Sequence, residues 1–95
     1  MGDRRMRADD VRERGTRLCQ LLARDVEQIA PEGIGQWERT WEIVVGADAD
    51  FVLALSGWES DPLSEPARQR VKDAYRAVLW AWRRAAEEYR QEAGR

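Results

Sequence analysis

The sequence predicts an all-α fold, a small four-helix bundle with two long outer helices and two short central ones. Apolar residues recur at helical spacing along both outer segments, and proline and glycine gather at the joints between segments. The chain has 95 residues, 43% apolar and 36% charged. That length supports one core and is too short for two, so residues 1–95 are expected to form a single helical domain.

Over residues 9–29, Val11, Leu18, Leu22, Val26 and Ile29 share one helical side, and Cys19 and Leu21 widen the stripe. Asp9 or Asp10 is the expected N-cap, with Glu13 placed as in a capping box. Residues 1–8 are expected to form a frayed or flexible basic arm ahead of it. Gly15 lies on the stripe, where a missing Cβ admits a neighbouring helix at a propensity cost of about 1 kcal/mol. Pro31, followed by Glu-Gly-Ile-Gly, ends the element.

The middle allows more than one reading. A single helix over 37–58 puts Trp37, Trp41, Val44, Val45, Phe51, Val52, Leu55 and Trp58 on a common side, but with Asp48 in its centre. An unpaired carboxylate buried there would be costly. A break at Gly46-Ala47 removes the conflict: Asp48 then caps a second short helix, Asp50 sits near its positive end and Ser56-Gly57 closes it. The rival is a β-hairpin at about 41–55, WEIVV and FVLAL joined by GADAD, which suffers from being an isolated two-stranded ribbon. Two short helices are the expectation.

The last element is the clearest. Asp61-Pro62 and Ser64-Glu65-Pro66 are start signals, since proline is tolerated in the first turn. Val71, Ala74, Tyr75, Val78, Leu79, Trp82, Ala85, Ala86 and Tyr89 then mark every turn to about residue 92.

Charge is unevenly distributed. The net value of −2 comes from +3 over residues 1–24, −9 over 25–65 and +4 over 66–95. Basic ends around an acidic middle can complement each other within the chain or face separate partners. Fifteen arginines stand against one lysine, Lys72, a bias expected of a GC-rich bacterial genome.

Catalytic chemistry has little to work with. Histidine is absent, which removes the commonest general base and the commonest zinc ligand. The lone Cys19 cannot close an internal disulfide or build a zinc site, and its place beside the stripe predicts a core thiol. Asp48 and Asp50 lack the further oxygen ligands of a calcium loop. Glu38 and Glu42 lack the facing ligands of a di-metal bundle. EGIG lacks the Lys-Ser/Thr of a phosphate loop. No apolar run is long enough to span a membrane, and MGDRRMRADD has no apolar h-region, so a cytoplasmic protein is expected. Neither an enzyme nor a bound cofactor, metal or small-molecule substrate is expected.

Binding is better supported. In AVLWAWRR, Trp80 and Trp82 are two residues apart and point about 200° apart on a helix. Trp82 belongs to the apolar stripe and is assigned to the core. Trp80 projects among Arg76, Arg83, Arg84 and Glu87, pairing two residue types enriched at binding hot spots. Trp37, Trp41 and Trp58 are assigned mainly to packing, although five tryptophans are more than a core this small readily hides.

The expected function is therefore a protein–protein interaction module or small accessory subunit, contacting another protein or a second copy through Trp80, Arg76, Arg83 and Arg84. The alternative is a nucleic-acid-associated subunit of a ribonucleoprotein, with Arg68, Lys72, Arg76, Arg83 and Arg90 tracking a phosphate backbone from a stripe about 80° wide. A third reading is an acidic inhibitor presenting Glu38, Glu42 and Asp50 to a basic site.

Overall fold

The computed structural model describes residues 8–94; apart from Ala8, the basic arm expected over 1–8 lies outside the described residues. Three α-helices account for most of them: α1 (Ala8–Ile29), α2 (Glu38–Ser60) and α3 (Glu65–Ala93), with a 3₁₀ turn at Ile34–Gln36 between α1 and α2. Among the described residues there is no strand, and residues 41–55 are helical throughout, so the hairpin alternative falls.

Sequence signals set the ends of α3. The Ser64 side chain accepts a hydrogen bond from the Ala67 N–H at 3.1 Å, and Pro66 sits in the first turn, where no intrahelical donor is needed. Asp9 and Asp10 lie inside the first turn of α1, where they complement the helix dipole, instead of preceding it as a cap. Gly33 links α1 to α2 at φ 88°, a conformation that only glycine adopts cheaply. Thr40, fully buried, donates to the Ile34 carbonyl at 2.7 Å and ties the 3₁₀ turn to the start of α2.

The expected four-helix arrangement is corrected to three. The chain does not break at Gly46-Ala47: α2 runs unbroken from Glu38 to Ser60, so Asp48 caps nothing and Ser56-Gly57 lies inside the helix. The gain from burial explains this. Val44, Phe51 and Trp58 are buried at helical spacing, each worth about 1.5–3 kcal/mol, against about 1 kcal/mol for one internal glycine. Asp48 is only half-buried at the edge of that face, so the feared burial of its charge is partial. Its carboxyl is nevertheless held above the usual range by desolvation.

Long-range pairs fix the directions. Arg12 near the start of α1 pairs with Glu59 near the end of α2, and Arg39 near the start of α2 bonds Glu88 near the end of α3 at 3.1 Å. Arg90 of α3 donates to the Ile29 carbonyl at the end of α1 at 3.4 Å, covering an otherwise open helix terminus. Hence α1 and α3 run parallel and α2 runs against both. One core cluster joins Val11, Phe51, Trp58, Val71 and Val78 from all three helices. The other joins Ile34 and Val44 to Ala81, Ala85 and Ala86 of α3. At Gly15 the helices come close, and an added Cβ would lie 3.5 Å from Leu55 Cδ2.

Candidate functional site

Three surfaces offer chemistry to a partner, the second and third of them meeting at Arg76.

The first is the outer side of α2. Trp41 (50% exposed), Val45 (59%), Val52 (63%) and Leu53 (69%) are all large apolar residues left open to solvent on this one helix. The helical stripe read from the sequence is wider than the core can cover. Val44, Phe51 and Trp58 are inside and Trp37 and Leu55 half-buried, but Trp41, Val45 and Val52, assigned to the same packed side, face out. Trp41 is held in that position by two contacts. Its indole N–H donates to the Gly35 carbonyl at 3.3 Å, and its ring meets Trp82 edge-on, with centroids 6.0 Å apart. An anchored, half-exposed indole loses little freedom on binding, the property of a hot-spot residue.

The second surface is the outward face of α3. Trp80 is 63% exposed, while Trp82, two residues on, is half-buried and packed against both core clusters. Arg76, Arg83 and Arg84 are exposed around Trp80. Arg84 pairs with Glu88 at 3.2 Å, whereas Arg76 and Arg83 form no ion pair among the described residues. Glu88 also receives Arg39, and that hydrogen bond, aided by the charges of both guanidiniums, holds its carboxyl below the usual range despite partial burial.

The third is the seam between α1 and α3. Leu18, Leu21, Trp58 and Val71 line a hollow of about 350 Å³ flanked by Arg14 and Arg17 on one side and Arg68 and Lys72 on the other. Two smaller hollows, about 180 and 240 Å³, continue it toward Arg76 and toward Leu63 respectively. The basic stripe on α3 thus acquires a counterpart on α1 that one helix's periodicity could not disclose. Arg68 pairs with Glu65 one turn away at 3.8 Å. Arg90 is spent on the end of α1.

The acidic residues are scattered. Glu38 and Glu42 lie near each other on α2, where Glu42 takes Arg39 at 3.4 Å, but Asp50 is turned about 120° from Glu38. Cys19, assigned to the core, is exposed, because α1 contributes only a narrow strip to the interior. Among the described residues no cluster of three or more His, Cys, Asp or Glu side chains is placed to hold a metal ion. Among the described residues no helix is long and apolar enough to cross a membrane. Compared with known protein families, curated proteins and solved structures, the chain matches none of them.

Proposed function

We infer that this chain is a protein-interaction module, a small accessory subunit and not an enzyme, and that it pairs through the outer face of α2. The observation that carries the reading is the row of solvent-exposed apolar side chains Trp41, Val45 and Val52, within about 40° of one another on one continuous helix, with Leu53 exposed about 80–120° round from them. Such a row is held in water at a cost that a partner removes.

The face suits a second copy of itself. Opposed antiparallel about the midpoint of Val45 and Val52, two α2 helices bring their apolar centres together. Glu38 of one then lies beside Glu59 of the other, whose charge Arg12 already meets, and the two Asp48 side chains approach at the centre, a repulsion that burial of the apolar side chains must outweigh. Sedimentation of the unmodified chain at tens of micromolar is expected to show a dimer. Val52→Glu with Leu53→Glu, at sites too exposed to disturb the core, is expected to give a monomer with unchanged helix content. A monomeric unmodified chain would overturn the pairing.

A nucleic-acid-associated role is the second reading, favoured by Lys72, Arg76 and Arg83, which lack ion pairs among the described residues. It predicts oligonucleotide binding that collapses as salt rises.

A further inference from the structure

We propose that the seam between α1 and α3 is a docking channel for an acidic amphipathic helix of another protein. This site is separate from the α2 face and does not depend on self-pairing.

Three hollows adjoin along the seam through shared lining residues. The largest shares Leu18, Val71 and Lys72 with the hollow that ends at Arg76, and shares Arg14, Trp58 and Arg68 with the one that ends at Leu63. From Glu65 to Arg76 the channel follows α3 for about 16 Å, the length of about three helical turns. Its floor is apolar and open, with Leu21 still 43% exposed. Its walls are cationic on both sides: Arg14 and Arg17 stand on α1, and Arg68, Lys72 and Arg76 on α3. Four of these five form no ion pair among the described residues, the exception being Arg68. Among the described residues Glu65, at one end, is the only carboxylate in the lining.

This pattern selects among anions. A single carboxylate or phosphate needs one or two cations, not five spread along about 16 Å. A nucleic-acid backbone would use the cations but not an aliphatic floor, and its bases would find no platform. Trp58 is 4% exposed, and the Tyr75 ring is packed edge-on against Phe51 with centroids 6.0 Å apart. A helix with leucines along one stripe and Asp or Glu on both flanks satisfies floor and walls together, the helix-in-groove mode of recognition. The cations would also draw such a helix in from solution.

The test is fluorescence anisotropy with a labelled synthetic helix of about 12 residues, leucines at i, i+4, i+7 and i+11 and glutamates beside them. The control peptide carries lysine for glutamate. The acidic peptide is expected to bind at least about tenfold more tightly than the basic one and to weaken as salt rises. Arg17→Glu with Lys72→Glu should lower its affinity by about tenfold or more, and Leu21→Ser, a change at an exposed position, should lower it with the cations intact. Equal affinity for both peptides, or no loss in the double variant with helix content retained, would overturn the proposal. So would tighter binding of an oligonucleotide of equal charge that the double variant abolishes, which would assign the channel to phosphate. Loss of self-association in the double variant, with the α2 face untouched, would also overturn it by making a second copy the occupant.

Discussion

Tyr75 shows how much one side chain can do in so thin a bundle. Its ring meets Phe51 edge-on in the core, while its hydroxyl donates to Asp25 across the α1–α3 seam at 2.6 Å. Burial, seconded by the bond to the Asp25 carboxylate and its charge, pushes the phenol up to about 12 from an ordinary 10. The folded chain therefore keeps this proton more firmly than the unfolded one. The resulting stability is complete below pH 10 and is lost as pH climbs from 10 toward 12. Tyr75→Phe is expected to cost about 1–2 kcal/mol at neutral pH, by removing a hydrogen bond to a charged group. It should also flatten that part of the alkaline loss. Urea titrations at pH 7 and pH 11 check both, and a variant as stable as the parent at pH 7 would show the bond to be idle. At Gly33 the constraint is geometric: a Cβ would stand 2.8 Å from the Tyr89 hydroxyl, and φ is already positive. Trp80 and Trp82 were legible at this scale, since a two-residue separation on any helix sends one indole outward if the other is inward.

Among the elements, α2 is where local and long-range preferences conflict. Gly46 weakens the helix at a point where nothing lies within 4 Å of an added Cβ. Gly46→Ala is expected to raise stability by about 1 kcal/mol. For a chain of this size that is about 4–8 °C in Tm, readable by circular dichroism. An unchanged or lower Tm would mean that the glycine serves a local bend. Asp48→Asn should also stabilise the fold at neutral pH, because the carboxyl is held above its ordinary range. The sign follows: the folded state binds this proton more readily, so stability falls as pH rises through that range. The ends of α1 and α3 could be read from Pro31, Asp61-Pro62 and Ser64 because caps and breakers act within a turn. The continuity of α2 could not, because it depends on the burial of Val44, Phe51 and Trp58 by other helices.

At the scale of the whole molecule, the core is unequally shared. α1 places one buried large side chain, Val11, in the interior, with Leu18 and Leu22 half-buried beside it, whereas α2 and α3 supply most of the rest. Amide hydrogen exchange is accordingly expected to be faster along α1 than along the buried sides of α2 and α3. Equal protection in all three helices would show that the bundle opens only as a unit. The imbalance bears on function, since both the channel and its Arg14 and Arg17 wall depend on how α1 is seated. The overall charge pattern resolves only partly within the chain. Arg12 meets the acidic middle at Glu59 and Arg68 meets it at Glu65, but Lys72, Arg76 and Arg83 form no ion pair among the described residues, so their charge is left uncompensated there.

By itself the sequence determined the helical class, the end of α1, the start of α3 and the opposite fates of Trp80 and Trp82. These are properties of periodicity and of turn chemistry, carried by residues within a few positions of one another. Only the tertiary structure decided that the middle is one helix, that Trp41, Val45 and Val52 face outward, and that Arg14 and Arg17 meet Arg68 and Lys72 across a channel. A three-helix bundle covers just one strip of each helix. Which part of a wider apolar face stays open, and which distant cations become neighbours, follows from how the helices are seated against one another.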